Sequence, residues 1–435
     1  MADVHYHIER PGPRSRYIIA HLLGAMPGWH AQEVPDLAAF MEIPGPKLIY
    51  GQRPVQGAFH ILPEGLLSRT GLGQEDPATA RWHQVPALFP VDGGDMPFDI
   101  FSASFFLLGR MEEYGPVQRD MHGRPVSGAL HSARNGYQER PVVDEWLHGL
   151  ARAWRQKDPR LPDLRRTCSQ VATLDADNGA MYLGRPWWRS AGSAIRDLLK
   201  GHASRLRDRA AVLRGKMPDP YAVHGEFLAL ARENRAGAII NFLAAPRGKF
   251  DHAIPVRSIC MRQVIQLAAR HGAVGLHPGY SSSDSPHRMA EEKKLVEAAF
   301  GQPVTRSRQH YLRMALPGTM NALERAGIRE EHSMGFADAV GFRAGTCTPY
   351  PFYDLHAEAP TALVVHPFAV MDSAMAYKMR LSPEEAATKA KQLVDAVRAV
   401  QGTFISVWHE RFLSDYGDEQ GWGRLAREVI TYARP

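Results

Sequence analysis

The carboxy-terminal part of the chain alternates strand-like with helix-like segments, and this pattern constrains the fold more than any other feature. Short apolar runs that end in polar residues recur from residue 168 onward, separated by stretches with apolar residues at helical spacing. Such alternation predicts a parallel sheet or barrel covered by helices. The last long helix, 382–400, has Ser382 as its N-cap. We expect strands near 170–175, 236–244, 272–280, 304–312, 331–336, 362–368 and 403–409.

Residues 1–160 follow a different pattern, with weak periodicity and many prolines. Strand candidates are KLIYG at 47–51 and FHILP at 59–63, and the apolar run FDIFSASFFLLGRMEEY from residue 98 predicts a buried helix. The stretch DPRLPDL at 158–164 predicts a linker. We therefore expect a smaller α+β domain at 1–160 and an α/β domain at 165–435, which suits a chain of 435 residues.

The composition is that of an ordinary soluble globular protein, with 44% hydrophobic and 23% charged residues. The first residues, MADVHYHIERPGPRSR, lack the apolar core of a signal peptide, and no apolar run is long enough to span a bilayer. Three scattered cysteines, Cys168, Cys260 and Cys347, indicate a reducing compartment without structural disulfides. We expect a cytoplasmic protein that acts on an intracellular substrate.

The net charge of +6 comes largely from residues 189–216, where arginines are interleaved with leucine, isoleucine and valine. This spacing predicts one amphipathic helix with a basic face. No nucleic-acid motif accompanies it, so we expect no nucleic-acid partner. A solvated surface, an acidic partner and peripheral contact with an anionic membrane surface stay open. The preceding Trp187 and Trp188 either stack on a glycan or form a core pair, and the oligomeric state stays open.

Two carboxylates end the first predicted strand of the carboxy-terminal domain, in the stretch TLDADNG at 173–179. Asp175 and Asp177 are two residues apart and therefore face the same side of a strand. That arrangement is costly unless a metal, a cation or a proton relieves the repulsion between the two carboxylates. The alternative is a loop in which Asp, Asn and Gly make a turn.

Basic side chains occur at or near the ends of several other predicted strands: His277, Arg308, His310, Arg343, His366 and His409. Parallel strands gather functional groups at their carboxyl ends, so we expect these side chains to converge with the two aspartates. Nitrogen and oxygen ligands of this kind suit a divalent metal that keeps an open position for water.

Residues 165–435 resemble the polysaccharide deacetylase family, the NodB-homology carbohydrate esterases, in motifs that occur in the same order along the chain. TLDADNG is similar to the family's TFDDG, and GLHPGYSS supplies the first histidine of its strand-end histidine motif. GFRAGT is similar to the family's arginine loop, and FISVWHE to its last histidine motif. The whole chain resembles a branch of that superfamily in which an amino-terminal domain of unknown function precedes the deacetylase-like barrel.

The resemblance implies a distorted (β/α) barrel of about seven strands. It also implies metal-dependent hydrolysis of an N- or O-acetyl group from a saccharide or a saccharide precursor. Zinc is the first expectation for the metal, with cobalt and nickel as alternatives. Carried over by motif, Asp175 is the general base, Arg343 orients that base and His409 is the general acid. Asp177 and His277 are metal ligands.

Two positions depart from the family's pattern. Ala176 separates the two aspartates, and Ser281 stands where the family has its second metal-binding histidine. We expect His310 to replace that ligand, because period two places it on one face of its strand with Arg308. His366 is the other candidate for the missing ligand.

Three residues next to these groups are expected to contact the substrate: Arg308, Tyr280 and Glu410. Two other functions stay open. In the first, the barrel is catalytically silent and binds a glycan or a partner protein. In the second, the same fold hydrolyses a different C–N or glycosidic bond, because fold does not fix substrate.

Overall fold

The amino-terminal part of the chain is built on a parallel sheet. The structure is a computed structural model that describes residues 2–73 and 75–435. The strands of this first sheet are β1 (Ala2–Ile8), β2 (Trp29–Glu33), β3 (Lys47–Tyr50) and β4 (Ala58–Ile61), in the order β2-β1-β3-β4. Two helices lie between them, α1 (Pro13–Gly24) and α2 (Leu37–Glu42). The predicted strands at 47–51 and 59–63 are confirmed as β3 and β4.

A hairpin and three helices complete this part of the chain. The hairpin pairs β5 (Thr79–Trp82) with β6 (Val85–Leu88). The helices are α3 (Ile100–Leu108), α4 (His131–Arg134) and α5 (Val142–Lys157). Asp99 starts α3 by accepting hydrogen bonds from the backbone of Phe101 and Ser102. Every residue of α3 is buried, as its apolar composition predicts.

The carboxy-terminal part alternates strands with helices. Its strands are β7 (Ser169–Ala176), β8 (Gly237–Leu243), β9 (Ala273–His277), β10 (Arg306–Ser307), β11 (Glu330–Glu331), β12 (Tyr350–Asp354), β13 (Ala359–Val365), β14 (Val370–Met371) and β15 (Thr403–His409). Its helices are α6 (Trp187–Leu199), α7 (Ala203–Leu213), α8 (His224–Glu233), α9 (Ile259–His271), α10 (Pro286–Phe300), α11 (Gly318–Arg325), α12 (Pro383–Ala399), α13 (Glu410–Leu413) and α14 (Trp422–Tyr432). The predicted N-cap, Ser382, accepts a hydrogen bond from Glu385 at the start of α12.

These strands form one sheet in the order β12-β13-β11-β10-β9-β8-β7-β15-β14. All of its pairs are parallel except β12 with β13. The interior strand β7 pairs with β8 on one side and β15 on the other, so the carboxyl ends of these strands lie at one edge. The mixed α/β class with a parallel sheet is confirmed. Closure into a barrel, and domains at 1–160 and 165–435, stay predictions.

Three predicted elements differ from those observed. Of the strand predicted for 331–336, only Glu331 belongs to a strand, the two-residue β11. The single basic helix predicted for 189–216 is two helices, α6 and α7, because the chain turns at Gly201, which has a φ of +70°. The strand predicted for 304–312 is only the two residues of β10. Tyr311 and Leu312 have φ values of +60° and +53°, which end the extended conformation, and His310 begins a short 3₁₀ turn instead.

Among the residues that the structure describes, none of the helices combines the length and the apolar composition that a bilayer-spanning segment needs.

Candidate active site

The carboxyl ends of the central strands bring the predicted acidic and histidine residues together. Register pairs Asp175 of β7 with His409 of β15 and with Asn241 of β8, and β8 pairs Leu243 with His277 of β9. Asp175, His277 and His409 line a cavity of about 490 Å³ together with Asp177 and His310. The strand-end rule thus places these groups beside one cavity, as the alternation of strands and helices predicts.

Asp177, His277 and His310 form a cluster of metal-ligand type at the cavity wall. The Asp177 Oδ1 atom lies 3.3 Å from His277 Nε2 and 3.6 Å from His310 Nε2. Ligands about 2.1 Å from a tetrahedral zinc ion lie roughly 3.4 Å from one another, so these separations are of the right size. In the described residues, the buried Asp177 Oδ1 and His277 Nε2 atoms have no hydrogen-bond partner. Because buried polar atoms are normally satisfied, these two atoms fit a bound cation.

The Nδ1 atoms of His277 and His310, which face away from Asp177, each lie next to a hydrogen-bond acceptor. His277 Nδ1 lies 2.5 Å from the carbonyl oxygen of Arg308, and His310 Nδ1 lies 2.8 Å from Asp251 Oδ1. Donation from Nδ1 to such acceptors fixes the tautomer that presents a lone pair on Nε2, which is the usual support of a metal-binding histidine. The residues therefore fit a divalent metal held by one carboxylate and two imidazoles. Asp251 carries no signal in the sequence that would have singled it out.

The position of the family's second histidine does not take part in this cluster. Ser281 is exposed in the turn that follows β9, whereas His310 reaches Asp177 from the turn after β10. His366, the other candidate, lies beside Glu330 and His332 in a separate group. Of the two candidates, only His310 belongs to the group that contains Asp177.

Asp175 presents one free oxygen atom to the cavity. Its Oδ1 atom accepts hydrogen bonds from Asn241 Nδ2 at 2.8 Å and from Arg308 Nη1 at 2.9 Å. Its Oδ2 atom lies 4.0 Å from both His277 Nε2 and His409 Nε2. Burial raises the pKa of the Asp175 carboxyl, but the charges of Arg308, His277 and His409 outweigh burial and lower it. Asp175 is therefore ionised at neutral pH.

Asp177 is also held ionised by its neighbours. Burial raises the pKa of this carboxyl, but the charges of the nearby His310, His409 and His277 lower it far below its ordinary value. The carboxylate is thus available as a ligand at every pH at which the imidazoles are neutral.

His409 is oriented by a carboxylate that sequence reasoning missed. Asp372, directly after β14, accepts from the His409 backbone N–H at 2.7 Å and from His409 Nδ1 at 2.6 Å. Burial lowers the pKa of His409, but the charge and hydrogen bond of Asp372 outweigh it and, with Asp177 and Asp175, raise the pKa to about 9. His409 is therefore protonated at neutral pH, with Nε2 turned toward Asp175. The only signal in the sequence was an aspartate at another strand end.

Arg343, expected to orient the base, is engaged elsewhere. Its Nε and Nη2 atoms donate to the two oxygens of Glu113 at 2.8 and 2.6 Å, and its Nη1 atom donates to the Gly335 carbonyl. The contact with Asp175 is made by Arg308 instead. Arg343 joins the carboxy-terminal part of the chain to the amino-terminal part, where Arg110 also donates to Glu113. Burial raises the pKa of Glu113, but the charges of Arg343 and Arg110 outweigh the effect of burial and lower this pKa to about 2.

This buried ion pair gives a prediction about stability. We expect Arg343→Ala to lower the free energy of unfolding by about 3 kcal/mol, because Glu113 stays buried with one of its two cations removed. Urea denaturation followed by circular dichroism measures the change. The control is Arg424→Ala, which breaks the exposed pair with Glu384 and should cost less than about 1 kcal/mol. Equal losses in the two variants would contradict the prediction.

The three residues expected to contact substrate have other surroundings. Arg308 is fully buried beneath Asp175 and also donates to Thr173. Tyr280 packs on Phe250, with ring centroids 4.1 Å apart. Neither Arg308 nor Tyr280 lines the cavity.

Glu410, the third residue of this group, also lies outside the cavity lining and holds the turn after Asp177. It is buried, and its oxygens accept from the backbone of Asn178 and Gly179 at 2.8 Å and face His224 Nε2 at 2.9 Å. Gly179 has a φ of +77°, and a Cβ atom there would lie 2.5 Å from the Met261 side chain, so the turn requires glycine.

The amino-terminal part of the chain contributes to the cavity wall, which the sequence did not indicate. His122 and Arg124 line the cavity together with residues of the carboxy-terminal part. Arg124 Nη1 donates to the Tyr311 carbonyl at 2.8 Å, and His122 Nδ1 lies 3.0 Å from the Tyr280 hydroxyl. Two stretches of sequence that are more than 150 residues apart therefore meet at one site.

Comparisons with known proteins find one matching family and several solved structures of similar fold. A family of unknown function (DUF7033) matches residues 4–159. No curated protein matches the chain in sequence. A protein from Mycobacterium smegmatis, provisionally described as a polysaccharide deacetylase, is similar in structure at 14% identity and a TM-score of 0.38, over 61% of this chain and 83% of that one.

Two structures from Bacillus species are also similar. A polysaccharide deacetylase from Bacillus cereus has 11% identity and a TM-score of 0.29, over 62% of this chain and 87% of that one. A pseudoenzyme of the CE4 family from Bacillus anthracis has 10% identity and a TM-score of 0.29, over 63% and 66%. These identities and scores are too low to assign a function to the chain.

Proposed function

We propose that the protein is a metal-dependent hydrolase that removes an N- or O-acetyl group from a saccharide or a saccharide precursor. The observation that carries this proposal is an acid–base pair beside a cluster of metal-ligand type. Asp175 Oδ2 and His409 Nε2 lie 4.0 Å apart, and Asp177 lies within 4.0 Å of His409. The pKa of Asp175 is lowered and that of His409 is raised, which supports Asp175 as the base and His409 as the acid.

The residues of the chain divide the proton transfers between them. Asp175 Oδ2, ionised because of Arg308, accepts a proton from the water that attacks the acetyl carbonyl. His409, protonated because of Asp372, donates a proton to the nitrogen or oxygen of the sugar as its bond to the acetyl carbon breaks. Water thus supplies the oxygen of the acetate and the proton of the freed amine or hydroxyl.

The donor cluster supports the dependence on a metal. Asp177, His277 and His310 would hold a divalent ion, with zinc, cobalt and nickel as candidates, and such an ion polarises a carbonyl and lowers the pKa of water. His310 also removes the reason to favour a catalytically silent barrel, because it offers the third donor that Ser281 does not supply.

The walls of the cavity support a saccharide as substrate. Its volume of about 490 Å³ lies within the range of small-molecule sites. The aromatic residues of the lining offer flat apolar faces on which a sugar ring can pack, and they are Tyr221, Phe250, Tyr311 and Tyr377.

His122 provides a prediction about the role of the amino-terminal part. We expect His122→Ala to raise KM about tenfold with kcat little changed, because this side chain lines the cavity away from the acid–base pair. Steady-state kinetics on an acetylated saccharide measure both constants. His356→Ala, which removes an exposed histidine that does not line the cavity, is the control. A fall in kcat at unchanged KM would contradict a binding role for His122.

Release of acetate tests the proposed function. Purified protein loaded with zinc, cobalt or nickel should release acetate from N- or O-acetylated saccharides, and much less from acetylated amines without a sugar. Preferential turnover of other amides or of glycosidic bonds would assign a different hydrolysis to the site. A folded, metal-loaded protein that releases no acetate from any acetylated saccharide would contradict the proposal.

A further inference from the structure

A second group of metal-ligand type lies at the ends of β11 and β13. Glu330 belongs to β11, His332 follows that strand and His366 follows β13. The Nε2 atoms of both histidines lie 3.8 Å from Glu330 Oε2, and the two rings stack with centroids 4.5 Å apart. One ligand atom from each residue lies within 4.8 Å of the others.

The histidine at the centre of this group is buried without partners. His332 is 1% exposed, and in the described residues neither of its ring nitrogens has a hydrogen-bond partner. A buried imidazole normally satisfies both nitrogens. A cation at Nε2 would satisfy the atom that faces Glu330, and the partial exposure of Glu330 and His366 leaves a route from solvent.

Arg306 does not prevent Glu330 from acting as a ligand. Its Nη2 atom lies 2.8 Å from Glu330 Oε1, and its Nε atom donates to Oε2 at 3.0 Å. Carboxylates that bind metals are commonly held by such hydrogen bonds, which orient the remaining lone pairs. Arg306 belongs to β10, so the same carboxylate links β10, β11 and the turn after β13.

We propose that Glu330, His332 and His366 bind a second divalent metal ion, for which zinc is the best match to two imidazoles and one carboxylate. Its role is structural. The strands β10 and β11 have two residues each, and a metal that bridges β11 and β13 would strengthen the short ladders here. Arg308 and His310 follow β10 directly, so this metal would also steady the groups around Asp175 and Asp177.

Metal content of single-site variants tests this proposal. The full chain is incubated with zinc chloride, dialysed and measured by elemental analysis as wild type, His366→Ala, Asp177→Ala and the double variant. The proposal predicts that His366→Ala lowers the zinc content by one equivalent relative to wild type and that the double variant holds one equivalent less than Asp177→Ala. His356→Ala, a change at an exposed histidine outside both groups, should leave the content unchanged.

The outcomes separate this proposal from the proposed function. Loss of zinc in His366→Ala but not in Asp177→Ala would support the second site and contradict the first. Unchanged zinc content in both His366→Ala and the conservative Glu330→Gln would overturn the second site. Folding is monitored by thermal denaturation, and zinc should raise the Tm of Asp177→Ala but not that of the double variant.

Helix α6 carries an independent inference, because it turns its large apolar residues toward solvent. Trp187 is 81% exposed and Leu199 is 83% exposed, and Trp188, Ile195 and Leu198 are also exposed. At 3.6 residues per turn these five side chains fall within an arc of about 120°. On the opposite face, Asp197 accepts from Arg209 of α7 at 2.6 Å, which holds the helix with its apolar stripe outward.

The polar face of α6 is rich in cations. Arg189, Arg196 and Lys200 lie at least about 60° around the helical wheel from the edge of the apolar stripe. Exposed tryptophan and leucine on one face, with cations on the polar face, are typical of a helix that lies in an anionic membrane interface.

We infer that α6 docks on an anionic lipid surface. If the proposed function holds, on which this second step rests, the acetylated saccharide is one that is attached to that surface. Sedimentation with phosphatidylcholine vesicles that contain phosphatidylglycerol measures docking without requiring turnover. Binding should fall at high salt and in the double variant Trp187→Ser, Leu199→Ser. The control is Ile259→Ser, which changes an apolar residue on α9 that is 68% exposed.

Three results would overturn this inference. In the first, wild type does not bind the anionic vesicles at low salt. In the second, the α6 double variant binds them as well as wild type does. In the third, the chain self-associates and only the α6 double variant abolishes that association, which would assign the stripe to a second copy of the chain. Acetate release is measured separately on soluble substrate, so failure of docking and failure of the hydrolase activity are distinguishable.

Discussion

Asp175→Asn is expected to reduce kcat by about 10²- to 10⁴-fold while the protein keeps its metal. Asparagine can still accept the hydrogen bond from Arg308, but it cannot take a proton from water at Oδ2. The donor cluster of Asp177, His277 and His310 is unchanged by the substitution. Acetate release measured under saturating substrate, together with elemental analysis, separates the loss of the base from the loss of the metal.

The control for this prediction is a buried carboxylate far from the acid–base pair. Asp354→Asn changes a side chain that accepts hydrogen bonds at the end of β12, and it should leave kcat near the wild-type value. A variant Asp175→Asn that retains more than about a tenth of wild-type kcat would contradict the role of general base.

Asp372→Asn is expected to move the alkaline limit of activity to lower pH. In the wild type, His409 has a pKa of about 9, so the general acid is protonated below that pH and activity falls as the pH rises through it. Without the charge of Asp372, burial dominates and lowers the pKa of His409. At pH 8 we expect kcat to fall by about 10²-fold, and the loss should be smaller at lower pH.

The pH profile of Asp372→Asn distinguishes this role from a structural one. A variant that is merely destabilised would lose activity at every pH without a shift of the alkaline limb. The pair of His409 and Asp372 also stabilises the folded protein. Because the pKa of His409 is raised on folding, its contribution is fully present below its ordinary pKa and is lost as the pH rises through about 9. An unchanged alkaline limb in Asp372→Asn would contradict the account.

Much of the site could be predicted from local sequence, because the end of a buried strand can be recognised from the residues of that strand alone. Asp175, His277 and His409 end buried strands, and parallel pairing necessarily brings such ends to one edge of the sheet. His310 was predicted to lie near Asp177 although the strand that carries it was drawn too long.

The supporting residues could not be predicted in the same way, because each contacts its partner across a long stretch of chain. Asp372 and His409 are separated by 37 positions, and Asp251 and His310 by 59. Arg308 and Arg343 both follow strand-like runs, and only the folded packing decides that the first reaches Asp175 while the second reaches Glu113. Periodicity identifies which face a residue occupies, but it does not identify a partner on a distant segment.

The most direct test of the proposed metal-dependent hydrolase is the metal content of the Asp177 cluster. Elemental analysis compares wild type with Asp177→Ala, His310→Ala and Ser281→Ala after incubation with zinc, cobalt or nickel and dialysis. We expect Asp177→Ala and His310→Ala each to lose one equivalent of metal relative to wild type, while Ser281→Ala, at the exposed position of the family's second histidine, loses none. A folded Asp177→Ala variant with the metal content of the wild type, or a wild type that binds no divalent ion, would contradict it.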